Sequence, residues 1–194
     1  MGAEVALGSY MVNYGLHLNV HEMMQSSPLL ERMAGLAAAI KGQSVMDMDP
    51  KGKLGVLLTF YWGGAMVGRF IGAALMQKMR PGFLLGVFAT LAVALVISSA
   101  STAGLTALLL LLGVGLCNSI MFPTIFTLGI EQLGDAKPQG SGILCTAIVG
   151  GAVIPPLFGA LLDVSGFGLA LILPAVCYAY IAGFGFRSTG MQRA

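Results

Sequence analysis

The sequence contains very little charge. Only 9% of its 194 residues are Asp, Glu, Lys or Arg, whereas soluble domains carry about 25%. Residues 81–130 include no charged side chain, and neither do 138–162 or 164–186. A water-soluble core of this size alternates buried and solvated faces, so the shortage excludes an ordinary soluble domain. The net charge of +2 is too small to indicate nucleic acid as a partner.

Reactive side chains are also scarce. The three cysteines, Cys117, Cys145 and Cys177, are odd in number and lie in apolar runs, which predicts buried thiols rather than disulfides or metal ligands. We interpret His17 and His21, four residues apart, as interfacial histidines at a helix end rather than a metal site. There is no Ser/His/Asp set and no glycine-rich phosphate loop. The sequence therefore predicts neither an enzyme nor a bound metal or cofactor.

Long apolar runs are what the sequence has instead. A spanning helix needs about 20 mostly apolar residues. Six such segments can be drawn, at about 2–20, 54–79, 82–99, 105–133, 140–162 and 167–186. Lipid offers the backbone no hydrogen bonds, and the alternating pattern of a membrane barrel is absent from the sequence. We therefore predict an all-α membrane protein, with residues 1–194 forming one unit of six transmembrane helices.

The connection of residues 21–53 is long and predicted to lie on the outer side. After Pro28 its apolar residues recur at helical spacing, from Leu29 to Ile40, which predicts a short amphipathic helix on the membrane surface. A turn is expected at Asp47 and Asp49.

Basic residues near helix ends set the expected orientation. The short connections and the C-terminus carry Lys78, Arg80, Lys137, Arg187 and Arg193, which predicts that these ends face the cytoplasm. The outer connection 21–53 also carries four basic residues, so the prediction depends on the short loops. It places the C-terminus in the cytoplasm.

Glycines and prolines interrupt the apolar segments. Gly64, Gly68 and Gly72 repeat every four residues, a spacing that lets another helix backbone approach closely. Helix breakers stand at membrane depth in the fourth and fifth segments: Pro123, Gly150, Gly151, Pro155 and Pro156. A proline frees a backbone carbonyl, which lipid tolerates only against protein or a watery cavity. Such kinks build central sites and hinges in transporters, although packing alone also explains them.

Four polar side chains fall within the apolar segments. Glu4, Asn13, Arg69 and Asn118 are costly in hydrocarbon, so they should face the interior, a cavity or a partner. Glu4 and Asn13 are nine positions apart, which puts them about half a turn out of phase in a straight helix. The alternative to a straight helix is a bend at Gly8. Arg69 is expected to reach the interface or to pair with an acid.

Several segments resemble known transporter helices. Residues 60–72, FYWGGAMVGRFIG, resemble the eighth helix of a major facilitator, and residues 78–81 resemble the loop that follows it. Residues 117–134, CNSIMFPTIFTLGIEQLG, resemble the tenth helix of the fucose/glucose/galactose:proton symporter family. Residues 140–163 resemble the eleventh helix of that family, and residues 2–9 resemble its seventh helix.

This resemblance implies the C-terminal six-helix half of a twelve-helix major facilitator in a bacterial inner membrane. It implies alternating-access transport of a monosaccharide with a proton as the coupling ion, and with an N-terminal half as the missing partner. The family's proton-coupling acids belong to that other half. Its seventh and tenth helices line the sugar cavity, which makes Glu4 and Asn118 the expected sugar contacts, with Asn13 and Tyr61 behind them. For Tyr61 the alternative is an aromatic at the membrane interface.

The start of the chain leaves two further alternatives open. Its first segment begins partway along a helix, which suggests a truncated product or half of a larger protein. Such a product is expected to be a transport-inactive membrane remnant if it stands alone, or a half-transporter that works as a homodimer. The sequence does not choose between glucose, galactose and L-fucose, although the residues around Glu4 lean towards the glucose/galactose branch.

Overall fold

The computed structural model describes residues 1–19, 28–42 and 50–191. All regular structure in these residues is helical, which confirms the all-α prediction. The helices are α1 (Gly2–His17), α2 (Pro28–Lys41), α3 (Pro50–Met76), α4 (Pro81–Ala100), α5 (Gly104–Asn118), α6 (Met121–Ile130), α7 (Lys137–Thr146), α8 (Gly150–Ala170) and α9 (Ile172–Met191). Single 3₁₀ turns at Gly134–Ala136 and Ala147–Val149 precede α7 and α8.

Four stretches of the described chain are long and apolar enough to cross a bilayer. They are Leu54–Met76, Pro81–Ala100, Gly104–Ile130 and Gly134–Ala170. Helix α1 has 16 residues, fewer than the roughly 20 that a spanning helix needs. Helix α9 has 20 residues but includes Arg187, and it is not among the four. The count of six spanning helices therefore stays a prediction.

Much of the outer surface is apolar, as expected for a membrane protein. Phe70, Ile143 and Val176 are among the large apolar side chains that stand at least 60% exposed. Soluble monomers rarely expose a continuous apolar surface of this kind, whereas lipid tails cover it without cost.

Helix α5 lies at the centre of the bundle. It packs against α3 on one side and α4 on another, and it also touches α1. Its Ala107, Leu108, Leu111 and Val114 are at most 2% exposed. Around it, α1 packs on α8 and α4 packs on α9. This arrangement brings the start of α1 and the end of α5 to the same part of the molecule.

The α4–α9 contact is so close that it requires glycine. A Cβ on Gly86 would lie 2.7 Å from the Phe186 ring, and one on Gly185 would lie 2.6 Å from the backbone nitrogen of Gly86. A Cβ on Gly82 would likewise lie 2.9 Å from the carbonyl oxygen of Gly185. This seam was not predicted, because the two helices are distant in sequence.

Two of the expected long helices are interrupted. The segment expected at 105–133 is two helices, α5 and α6, separated at Ser119 and Ile120. The segment expected at 140–162 begins as α7, passes through the Ala147–Val149 turn and continues as α8. The connection expected after residue 162 lies at Gly166, whose φ of 74° and ψ of 176° interrupt α8.

The expected amphipathic helix corresponds to α2. Its Ala34 is 1% exposed, Met33 packs against the core, and Leu36 is 62% exposed. Helix α2 rests on α3. His21, Asp47, Asp49 and Arg193 lie outside the described residues.

Candidate functional site

One cavity brings together Glu4 and Asn118, the two residues first expected to contact the sugar. It has a volume of about 120 Å³, and both Glu4 of α1 and Asn118 of α5 line it. Ile154 of α8 and Tyr178 of α9 also line it. Further wall residues come from α6 and α9: Met121, Phe122, Ile125, Cys177 and Ile181. The cavity is therefore mostly apolar with a few convergent polar groups, which is typical of small-molecule sites.

The break between α5 and α6 places Asn118 at the cavity. Asn118 is the last residue of α5, and α6 begins at Met121. Pro123 has no N–H to donate to the carbonyl of Ser119, four residues before it, so the helix does not continue through this point. The Ser119 hydroxyl instead donates to the Leu116 carbonyl at 2.7 Å. A polar side chain thus occupies an interrupted helix at membrane depth.

A chain of hydrogen bonds connects Asn118 to α3 and α1. The Asn118 Nδ2 donates to the Tyr61 hydroxyl at 2.8 Å. The Tyr61 hydroxyl in turn donates to the backbone carbonyl of Glu4 at 3.2 Å. Tyr61 is 0% exposed and Asn118 is 6% exposed. We call this chain of three residues the Tyr61 network.

Glycines allow α3 and α5 to approach closely enough for this network. A Cβ on Gly64 would lie 3.5 Å from the Leu116 nitrogen, while one on Gly68 would collide with the Leu116 carbonyl and one on Gly72 with the Ile120 side chain. On the facing helix, a Cβ on Gly115 would collide with the Tyr61 carbonyl. The glycines at four-residue spacing thus form a groove, and α5 is the helix that occupies it.

Glu4 contributes a carboxylate to the cavity wall. Its side chain is 21% exposed, and its Oε2 lies 4.0 Å from the amino group of Met1. At that distance the ion pair is weak and leaves the carboxylate able to accept hydrogen bonds from a ligand. Carboxylate and amide thus face the same space.

A second buried network joins α1 to α4 and α5. The Tyr14 hydroxyl donates to Ser99, with its carbonyl at 2.9 Å and its hydroxyl at 3.0 Å, and the Ser99 hydroxyl donates to the Ala107 carbonyl at 2.7 Å. Tyr14 and Ser99 are both buried. The space beside Tyr14 is too small for a water molecule. We call these residues the Tyr14 network.

Known proteins similar to this chain are sugar transporters. A glucose/galactose transporter of Brucella abortus is 43% identical over 185 residues, which are 95% of this chain and 39% of that protein. The L-fucose-proton symporter of Escherichia coli is 30% identical over 190 residues, or 97% of this chain and 37% of that protein. The crystal structure of the Escherichia coli fucose:proton symporter matches 96% of this chain with a TM-score of 0.78 and 28% identity. No family model matches the sequence.

The chain belongs to the fucose/glucose/galactose:proton symporter family of the major facilitators. It is a bacterial membrane protein. The chain spans 39% of the length of the Brucella transporter and 39% of the crystallised Escherichia coli chain. The chain therefore matches less than half of each of these relatives.

Three of the four residues predicted as sugar contacts lie together, and one does not. Glu4 and Asn118 line the cavity, and Tyr61 lies directly behind Asn118. Tyr61 is fully buried, and its hydroxyl accepts a hydrogen bond from Asn118 and donates one to the Glu4 carbonyl. Asn13 is exposed and is not part of the cavity wall. Helix α1 is continuous through Gly8, so Glu4 and Asn13 keep their opposite phase.

The other residues singled out in the sequence lie outside the cavity wall. Gly150 begins α8, and its carbonyl oxygen lies 2.7 Å from where a Cβ on Gly2 would be. A Cβ on Gly151 would lie 3.7 Å from the Val5 side chain of α1. Pro155 and Pro156 lie inside α8, next to the cavity-lining Ile154. Arg69 is exposed on α3.

The cysteines differ from the expectation of three buried thiols. Cys117 is buried and Cys177 is half-buried in the cavity wall, but Cys145 is exposed. Cys145 lies on α7, whose described residues are mostly exposed, so an apolar run did not imply burial against protein here. Within the described part of the chain, no three or more His, Cys, Asp or Glu residues group in a way that could hold a metal ion.

Sequence reasoning missed Tyr178 and Phe122. Tyr178 is 1% exposed, and its hydroxyl has no hydrogen-bond partner among the described residues. Phe122 is half-buried in the cavity wall. A signal for Tyr178 did exist, because a tyrosine near the middle of an apolar helix must bury a hydroxyl far from the interface where tyrosines usually lie.

Proposed function

We propose that this chain forms the sugar-facing C-terminal half of a proton-coupled monosaccharide transporter that moves glucose, galactose or L-fucose by alternating access. The relatives named above carry glucose/galactose or L-fucose in their names, and this chain matches less than half of each of them. The partner in this proposal is an N-terminal half, which supplies the rest of the cavity wall and the proton-coupling acids. The function is transport, and no enzymatic step is part of it.

The observation that carries the proposal is the pairing of Glu4 and Asn118 in one apolar cavity. A carboxylate accepts hydrogen bonds from sugar hydroxyls, and an amide both donates and accepts them. A polyol presents several hydroxyls that do both, so two such groups orient it strongly. A volume of about 120 Å³ accepts part of a hexose, in keeping with a site that a second half completes.

An aromatic ring also faces the cavity, but it is Phe122 rather than Tyr61. Phe122 follows the α5–α6 break and is half-buried in the wall. Its flat apolar face suits the C–H face of a pyranose. Tyr61 takes the role of holding the Asn118 amide, with its hydroxyl committed to Asn118 and to the Glu4 carbonyl.

Helix interruptions supply the movement that alternating access requires. Pro123 follows the α5–α6 break, while Gly150, Gly151, Pro155 and Pro156 surround the junction of the Ala147–Val149 turn with α8. Freed backbone groups at these points bend at lower cost than a continuous helix. We assign these residues as hinges, and Gly64, Gly68 and Gly72 as the packing seam against α5.

The orientation of this half follows from its short connections. Lys78 and Arg80 lie between α3 and α4, Lys137 begins α7, and Arg187 is near the end of α9. The connection between α4 and α5 has no charged residue. The proposal places the basic ends in the cytoplasm, including the C-terminus, with the chain in the bacterial inner membrane and lipids around its apolar surface.

Uptake by a completed transporter tests this proposal. In the completed transporter, this chain replaces the matching part of the Brucella abortus glucose/galactose transporter, and the hybrid is reconstituted in vesicles with an inward proton gradient. We expect uptake of labelled glucose, galactose or L-fucose that collapses when a protonophore removes the gradient. The unmodified Brucella transporter is the positive control.

Two further vesicle preparations interpret the outcome. The 194-residue chain alone should take up no hexose, because half of the cavity wall is absent; uptake by the chain alone would instead establish the homodimeric alternative. If the completed transporter is inserted and folded but carries none of the three sugars, the proposal is wrong and the inactive-remnant alternative stands.

A further inference from the structure

The hydroxyl of Tyr178 is a polar group of the cavity wall that the Tyr61 network does not include. Tyr178 is on α9, is 1% exposed, and lines the same cavity as Asn118. Its hydroxyl is without a hydrogen-bond partner in the described part of the chain. Because a buried hydroxyl without a partner costs free energy, a phenylalanine would be the better residue here if only packing mattered.

The direction of the hydrogen bonds shows what the Tyr178 hydroxyl can do. The Tyr61 hydroxyl has one proton, and the Glu4 carbonyl receives it. Tyr61 can therefore only accept from Asn118, which fixes the Asn118 Nδ2 on the Tyr61 side. The Asn118 carbonyl oxygen then points away from Tyr61 and is available as an acceptor. Tyr178 offers a donor, so the two groups are chemically complementary.

The two residues are also close. Asn118 and Tyr178 line the same cavity of about 120 Å³, and the Tyr178 hydroxyl makes no hydrogen bond within the described residues. A side-chain rotation within this cavity is the movement that would join the two groups. The result is a continuous series of donors and acceptors from Tyr178 of α9, through Asn118 of α5 and Tyr61 of α3, to the Glu4 carbonyl of α1.

We propose that Tyr178 is a positioning residue for the sugar-binding amide: its hydroxyl donates to the Asn118 carbonyl and thereby holds the second Asn118 N–H towards the sugar. The inference rests on the proposed sugar site and adds to it a residue from the last helix. Held at both its nitrogen and its oxygen, the amide presents one orientation to the substrate. Without Tyr178 the amide turns about its last side-chain bond and contacts the sugar only part of the time.

The test compares Tyr178→Phe with Tyr180→Phe in the completed transporter. Both changes remove only a hydroxyl from α9, but the Tyr180 side chain is 79% exposed and outside the cavity. We expect Tyr178→Phe to raise the KM for the transported hexose about tenfold with little change in maximal rate, and Tyr180→Phe to leave both values unchanged.

Coupling to Asn118 separates positioning from a general packing effect. In an Asn118→Ala background the amide is absent, so Tyr178→Phe should change the KM less than about twofold. An equal tenfold effect in that background, or no difference between Tyr178→Phe and Tyr180→Phe, overturns the inference while the sugar-transport proposal remains intact.

A sugar-free readout covers the case in which no variant transports. The thermal unfolding midpoint of the 194-residue chain in detergent is then measured for Tyr178→Phe, Asn118→Ala and the double variant. Non-additive shifts in the midpoint support the Tyr178–Asn118 interaction even though the sugar proposal has failed. Additive shifts overturn the interaction as well.

Discussion

The Tyr14 and Tyr61 networks are both built around a buried tyrosine, but only the Tyr61 network reaches a cavity. In each, a buried tyrosine hydroxyl connects α1 to other helices of the bundle. In the Tyr14 network every hydroxyl has a partner, and the adjoining space is too small for water. The Tyr61 network ends at a cavity of about 120 Å³, where the Asn118 amide and the Glu4 carboxylate face open space.

The difference between the networks separates structure from function. A closed hydrogen-bond network in a membrane protein satisfies polar groups and joins helices, and nothing about it requires a ligand. An open network with spare donors and acceptors at a cavity has capacity left for a substrate. Burial and polarity alone would have ranked the two networks equally.

Removing the amide at the cavity should have the largest effect on transport. Asn118→Ala deletes a sugar contact and leaves Tyr61 without its donor, so we expect uptake by the completed transporter to fall at least about 30-fold. Ser99→Ala is the matched change in the Tyr14 network. It should lower the stability of the chain by about 1 kcal/mol but reduce uptake less than about twofold. Equal losses of uptake would erase the distinction between the networks.

Neutralising the carboxylate should come next. Glu4→Gln keeps the size of the side chain and its partly buried place in the wall, but weakens the hydrogen bonds that it accepts from sugar hydroxyls. We expect uptake of labelled hexose to fall about tenfold while the thermal unfolding midpoint of the chain changes little. A large drop in the midpoint with unchanged uptake would make Glu4 a structural residue instead.

The two tyrosines provide a smaller and more discriminating comparison. Tyr61→Phe and Tyr14→Phe each remove one buried hydroxyl, so each should lower the free energy of unfolding by about 1 kcal/mol. Only Tyr61→Phe should also raise the KM for hexose, by about threefold, because only Tyr61 holds Asn118. Kinetics of the two variants in parallel decide this, and a rise in KM for both would argue against a local role of Tyr61.

The smallest effect is expected at Asn13. It is exposed on α1, outside the cavity wall and out of phase with Glu4. Asn13→Ala should therefore change uptake less than about twofold. If it reduces uptake as much as Glu4→Gln does, the sugar path includes the face of α1 that carries Asn13, and the cavity described here is only part of the site.

The polar residues and the helix breakers were readable from the sequence because lipid makes them expensive. Glu4 and Asn118 stood out in apolar segments, and Pro123 indicated the interruption that places Asn118 at the cavity. The spacing of Gly64, Gly68 and Gly72 indicated a close helix contact without identifying α5 as the partner. The nine-residue separation of Glu4 and Asn13 already argued that they could not share a face.

Contacts between distant segments were beyond the reach of the sequence. Tyrosine is equally suited to an interface and to a buried network, so the sequence left the role of Tyr61 open. The position of Tyr178 in an apolar helix indicated a buried hydroxyl but did not show that it lies at the same cavity as Asn118. The fit of Gly185 against Gly82 and Gly86 depends on helices about 100 residues apart in sequence. Local pattern indicates that a helix has a small-residue face, but three-dimensional packing decides which helix meets it.

Protection of Cys177 by sugar tests most directly that the cavity is the sugar site. Cys177 is half-buried in the cavity wall, whereas Cys145 is exposed outside it. In the completed transporter, saturating hexose should slow alkylation of Cys177 by a membrane-permeable maleimide several-fold and leave Cys145 unaffected, with Cys177→Ala identifying the signal. Alkylation of Cys177 at the same rate with and without a transported sugar would contradict the account.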